Sequence, residues 1–190
     1  TLSATLLTSI VELKDNIDKE NHHIYSILGM ISHINDFPKD LEGKKVVVVG
    51  GGAVGLDVVE FFADRNADIS IVEMMDQIGR DLDPVSKNDT KTMMKKHNVH
   101  QLTKTALLEV KDSSFLVRGE DEPYELPFEY GFVCLGMRAQ GQLYQNLTEE
   151  FSSEDVEIMN IGDSQRARRI IDGTQEGRNI LTILEQKGYL

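Results

Sequence analysis

Four consecutive valines, Val46 to Val49, run into Gly50-Gly51-Gly52-Ala53-Val54-Gly55, and an amphipathic stretch follows at once. No other feature constrains the chain as much. A short β-branched run without polar alternation is what a strand buried on both faces looks like. The recurrence of Val54, Val58, Phe61 and Phe62 at helical spacing predicts a helix over 54–65. Asn66 then tolerates the left-handed conformation that ends it. Between strand and helix stands a G-x-G-x-x-G. In that setting each glycine has its own reason: Gly50 permits the tight turn, Gly52 lets backbone approach a pyrophosphate, and Gly55 lets helix and strand pack closely. Gly51, Ala53 and Val54 complete the turn and open the helix. Its N-terminus offers free N–H groups and the positive end of the dipole to phosphates.

The strand–helix alternation continues. Ile69 to Val72 reads as a second strand, Val85 to His97 as a helix and Val99 to Leu102 as a third strand. This β-α-β-α-β order predicts an α/β fold: a Rossmann-like, doubly wound parallel sheet. Ala106–Val110, Phe115–Arg118 and Tyr124–Phe128 are short strands with tight turns and predict an antiparallel β-meander. Tyr130–Leu135 returns to a buried strand. A helix near 142–149, a strand over Val156–Ile161 and a long helix over 168–186 complete the chain. Three segments result: an N-terminal helical or linker segment over 1–40, a dinucleotide-binding domain over 41–140 and a C-terminal segment over 141–190. Within 1–40, Leu2 to Leu13 suggests an apolar or amphipathic helix, and a second apolar stretch runs from Ile24 to Ile34 until Pro38.

Glu73 ends the second strand at about the spacing expected of a ribose-binding acid. Its carboxylate can accept from both adenosine-ribose hydroxyls and would repel a 2′-phosphate. Met74 and Met75 follow, with neither Arg nor Lys, so NAD(H) is favoured over NADP(H). Gly136, just past the strand ending in Leu135, permits close approach of a cofactor or serves as an ordinary turn glycine. Gly162-Asp163 follows a strand and precedes a helix. Asp163 there could bind a ribose or ribityl hydroxyl, although the residues alone favour a helix cap. Arg166, Arg168 and Arg169 form a basic cluster that reads as a solvated helix start.

The five histidines form no metal-like set with carboxylates, and no nucleophile–base pair is recognisable. Any chemistry therefore belongs to a bound hydride donor. The formal net charge of −12 argues against nucleic acid and against an anionic membrane surface. No apolar run reaches the roughly 20 residues of a membrane helix. The one cysteine, Cys134, lies in an apolar run and reads as a small buried hydrophobe. A lone cysteine excludes an internal disulfide and an all-cysteine cluster, and a reducing, cytoplasmic setting is expected. The chain opens on Thr1-Leu2-Ser3 without Met or a basic leader, which suggests a piece of something longer.

With these residues laid out, the chain resembles the pyridine-nucleotide portion of the two-dinucleotide-binding flavoprotein oxidoreductases. Within them it is most similar to the C-terminal region of the 2,4-dienoyl-CoA reductase and 2-enoate reductase group, the NADH:flavin oxidoreductases. VVVVGGGAVGLDVVEFFADR, SIVEMMDQIGRDLDP, FVCLGMR and NIGDSQRARRIIDGTQEGRNI carry the resemblance over about three-quarters of the chain. It implies NAD(H) bound here and FAD in the intact protein. NADH reduces FAD, and electrons cross an iron–sulfur cluster to FMN in a TIM barrel. There an activated C=C bond is reduced. The implied partners are NADH and the remaining FAD and FMN-barrel portions; a homo-oligomer is left open. By resemblance Asp163 holds the FAD ribityl chain, the turn before Gly177 lies near the flavin, and 141–190 is a flavin-domain segment with only part of an FAD site. Asp57 stands where the family usually has Glu near the nicotinamide, and Ala139 where it usually has Pro. There is no second G-x-G-x-x-G and no cysteine set for a cluster. The isolated chain is thus expected to lack the full reaction. The competing reading is a free-standing NAD-binding sensor or interaction module without catalysis.

Overall fold

The computed structural model describes residues 17–18, 23–136, 139–153, 156–168 and 170–189. The helix expected over Leu2–Leu13, together with His22 and Arg169, lies outside the described residues. The chain divides into two compact units, one up to Gly136 and one from Met137 onward.

The first unit is built on a five-stranded sheet in the order β1-β8-β2-β3-β4, every neighbouring pair parallel. Its strands are β1 (Ile24–Tyr25), β2 (Lys45–Val49), β3 (Asp68–Val72), β4 (His100–Leu102) and β8 (Tyr130–Val133). Helices α1 (Ile27–Ser32), α2 (Ala53–Ala63) and α3 (Pro84–Lys96) lie between them in sequence. The strands β5 (Ala106–Val110), β6 (Ser114–Arg118) and β7 (Tyr124–Pro127) form the expected antiparallel meander. The segment 1–40 is not only helical: Ile24–Tyr25 forms the edge strand beside β8.

The valine run explains the layering. Successive side chains of a strand point to opposite faces. Val46 and Val48 enter a core with Leu56, Val58, Val59 and Phe62 of α2, Met94 of α3 and Met30 of α1. Val47 and Val49 enter a second core with Leu107, Val110, Phe115 and Val117 of the meander. The parallel sheet is thus covered by helices on one face and by the meander on the other. That is why β2 alternates nothing: both faces are dry. From β2 the chain crosses to β3 on one side, while β8 lies on the other. The glycine turn leaves β2 at this reversal of strand order, where open α/β sheets bind their ligands.

The second unit contains α4 (Gln142–Glu150), a 3₁₀ turn (Gly162–Ser164) and α5 (Ile170–Lys187). Here one expectation fails. Val156–Ile161 is not a strand. The described part of this unit holds no other strand, so the segment has no ladder to join. Its apolar composition is strand-like, but a strand exists only through its neighbour.

Candidate dinucleotide site

The residues that the sequence singled out in the first unit converge on the C-terminal edge of the parallel sheet. Gly50 has φ +109°, a conformation that L side chains rarely adopt, and a Cβ there would lie 2.2 Å from the Cys134 carbonyl oxygen. Its N–H donates to Val72 O at 2.8 Å. Gly55 sits in α2 over the turn, and a Cβ would come within 1.8 Å of Gly50 O. Both glycines are therefore required by the fold itself.

Gly52 is different. Its backbone is extended at φ −79°, ψ −177°, which any residue adopts. Nothing lies within 4 Å of the Cβ it lacks. Neither conformation nor packing asks for glycine here, so the space above it is free for something outside the chain. Gly52 also caps α2 without a side-chain hydrogen bond. The other two helices described in this unit are capped differently. Ser26 Oγ accepts from Gly29 N–H at the start of α1, and Asp83 Oδ1 accepts from the N–H groups of Val85 and Ser86 at the start of α3. At α2 no side-chain acceptor caps the first N–H groups. A helix N-terminus left uncapped beside empty space is suited to an anion.

Glu73 follows β3 directly and is half-buried. Its Oε2 accepts from Gly51 N–H at 2.6 Å, and its Oε1 accepts from Met75 N–H at 2.7 Å. Each oxygen keeps a further lone pair. The carboxylate is thus anchored at the rim of the turn with acceptor capacity to spare. The sequence located this acid but not its two backbone donors, because they depend on the path of the loop after β3.

Asp57, on the second turn of α2, is exposed and lines a cleft of about 360 Å³ between α2 and α3 with Ala53, Glu60 and Asp89. Cys134 is buried behind the turn. Its burial, with the Asp57 carboxylate adding to the effect, pushes the thiol up to about 12, so it stays protonated at neutral pH. Gly136 is exposed with φ +83° and open space around it. Val54 is partly buried against the helix-side core.

Asp163 belongs to the second unit. It is exposed in the 3₁₀ turn, and its Oδ1 accepts from Arg168 N–H at 3.3 Å, just ahead of α5. Gly162 N–H donates to Glu176 Oε2 at 2.6 Å, and the Arg168 guanidinium pairs with the other oxygen of Glu176. Arg168, then the Gly162 N–H, hold the Glu176 carboxyl below the usual carboxylate range. Arg168 is therefore engaged within its own unit rather than simply solvated. Of the histidines, His100 lies 3.5 Å from Asp68, and His23 stacks on Tyr130. Among the described residues no group of three His, Cys, Asp or Glu is arranged to hold a metal ion. No described helix is long and apolar enough to cross a membrane.

Comparison with known proteins bears on the fold and the family. The profile of the pyridine nucleotide-disulphide oxidoreductase family matches residues 11–160. The NADH oxidase of Thermoanaerobacter brockii is 26% identical over 161 residues, which is 84% of this chain and 24% of that protein. The bilirubin reductase of Mediterraneibacter gnavus is 27% identical over 158 residues, 82% of this chain and 23% of that one. The chain thus spans about a quarter of the length of these curated relatives. Two solved structures share the fold. The 2-naphthoyl-CoA reductase complex aligns with a TM-score of 0.63 at 18% identity, covering 83% of this chain and 23% of that one. Histamine dehydrogenase from Rhizobium sp. 4-9 aligns with a TM-score of 0.64 at 13% identity, covering 83% and 24%. NAD(H) and FAD are the cofactors that accompany this family. The chain belongs to the pyridine nucleotide-disulphide oxidoreductase family.

Proposed function

We propose that the first unit binds NADH at the glycine turn and serves as the pyridine-nucleotide part of a larger flavin-dependent oxidoreductase. The observation that carries this reading is the free space above Gly52, next to the uncapped start of α2. Gly52 and the N–H groups that open α2 would hold the pyrophosphate, Glu73 would hold the adenosine ribose, and Asp57 and Gly136 would take the nicotinamide side. When bound, NADH supplies the hydride. The chain's own residues hold the phosphates, orient the ribose and shape the approach to the reactive ring. In the intact protein FAD would supply the acceptor for that hydride, and the final acceptor would be an activated C=C bond of the enoate or enoyl-CoA type. The family matches support the first of these steps. The choice of acceptor rests on the resemblance of the quoted motifs.

Cofactor choice gives a direct test. The unmodified chain is expected to bind NADH at least about tenfold more tightly than NADPH, because a 2′-phosphate meets the anchored carboxylate of Glu73. Glu73→Ala is expected to weaken NADH and to narrow the gap. Fluorescence titration of both nucleotides measures this, and equal or tighter NADPH binding by the unmodified chain defeats the assignment.

Flavin retention gives a second test. Asp163 contributes one charge-assisted hydrogen bond, about 1.5–3 kcal/mol at most. Micromolar affinity needs about 8 kcal/mol. FAD requires its own pyrophosphate turn, and the 190 residues contain one glycine fingerprint, marked for NAD(H) by Glu73. The purified chain is therefore expected to be colourless, and added FAD should separate from it on gel filtration. Stoichiometric flavin surviving the column means that other residues rebuild a flavin site.

A further inference from the structure

We propose that Arg80 supplies a cationic contact to the pyrophosphate of the bound dinucleotide; this rests on the NADH reading above and adds a residue to it. The connection from β3 to α3, residues 73–83, is tied to the glycine turn through both backbone groups of Gly51. Glu73 Oε2 accepts from Gly51 N–H at 2.6 Å, and Gly79 N–H donates to Gly51 O at 2.7 Å. Gly79 is fixed in place. It is buried, has φ +66°, and a Cβ on it would meet Leu82 Cδ1 at 3.1 Å. Leu82 N–H returns to Gly79 O at 3.1 Å and closes the bend. Arg80 is the next residue, so its backbone stands beside the phosphate turn.

The Arg80 side chain is exposed, and among the described residues it makes neither a salt bridge nor a hydrogen bond. Lys104, in the loop after β4, is engaged with Glu120 at 3.3 Å. Its N–H donates to Met75 O at 2.9 Å. Among the described residues Arg80 is thus an uncommitted positive charge at this edge, in a chain whose net charge is −12. A pyrophosphate brings two negative charges. The open N–H groups and dipole of α2 supply only about half a positive charge. A guanidinium presents donors in a fork that matches phosphate oxygens, and it stays charged at every relevant pH. An anionic ligand approaching a strongly acidic chain needs such a local cation.

The experiment compares Arg80→Met, which keeps the aliphatic stem, and Arg80→Lys, which keeps the charge, with the unmodified chain. Each is titrated with NADH, NADPH and ADP-ribose at low and high salt. Arg80→Met is expected to weaken NADH and ADP-ribose alike by about tenfold, the loss of one partly exposed charge-assisted contact. It should also flatten the salt dependence, and Arg80→Lys should recover part of the affinity. Unchanged NADH and ADP-ribose affinities in Arg80→Met overturn the proposal while leaving the NADH site standing. A loss confined to NADPH would assign Arg80 to a 2′-phosphate and overturn the pyrophosphate contact. An unmodified chain that binds neither NADH nor ADP-ribose removes the site itself, and the proposal with it.

Discussion

Gly52→Val is expected to fold like the unmodified chain and to lose NADH affinity by at least about a hundredfold. The two halves of this expectation have separate causes. Folding survives because the backbone at Gly52 is in an ordinary extended conformation and nothing stands within 4 Å of the added Cβ. Binding fails because the valine side chain occupies the space that the pyrophosphate needs. It also screens the N–H groups at the start of α2. Two charge-assisted hydrogen bonds at about 1.5–3 kcal/mol each account for a loss of this size. Circular dichroism and thermal melting report the fold, and calorimetric titration reports NADH. A folded variant with undiminished NADH affinity would place the dinucleotide elsewhere.

How much of this was legible in the sequence varies with how local each feature is. The turn at Gly50–Gly55 is legible because all its determinants lie in one continuous stretch, Val46 to Arg65: a dry strand, three motif glycines and an amphipathic helix. The burial of β2 on both faces is legible for a related reason, since Val46 to Val49 lacks alternation only if both faces are covered; that the meander covers one of them is not. The roles of the three motif glycines follow from the motif itself. The contact that forces Gly50 does not: the Cys134 carbonyl, just past β8, lies more than eighty residues away, and no local pattern reports it. Ile24–Tyr25 as an edge strand was invisible in the same way, because two residues carry no periodicity and the strand exists only through its pairing with β8. Val156–Ile161 shows the converse. Its composition is strand-like, yet without a neighbour the residues stay outside any sheet. Glu73 is legible by its spacing, whereas the place of Gly79 and Arg80 beside Gly51 is not, since it depends on the fold-back of the loop 73–83.

Gly55→Ala and Gly50→Ala are expected to do the opposite of Gly52→Val: they should damage the fold and lose NADH binding only in consequence. At Gly55 the added methyl would lie 1.8 Å from Gly50 O, a backbone atom that no rotamer change can move. Relief requires α2 to lift from β2. That would disturb the seats of Leu56, Val58, Val59 and Phe62, all buried in the helix-side core. At Gly50 the methyl meets the Cys134 carbonyl at 2.2 Å and also demands φ +109° of an alanine. Backbone strain of this kind costs about 1–3 kcal/mol by itself, and loss of close core packing adds several more. A cost on the order of 4 kcal/mol or more follows for each variant. In a chain of this length that is a fall in Tm of roughly 8–16 °C. Thermal melting with and without saturating NADH separates the causes. A strained fold is expected to regain stability as ligand is added, because binding selects the native state. A Gly55→Ala variant that melts with the unmodified chain would show that α2 approaches β2 less closely than the contact with Gly50 O requires. The assignment of Gly55 to helix–strand packing would then be lost.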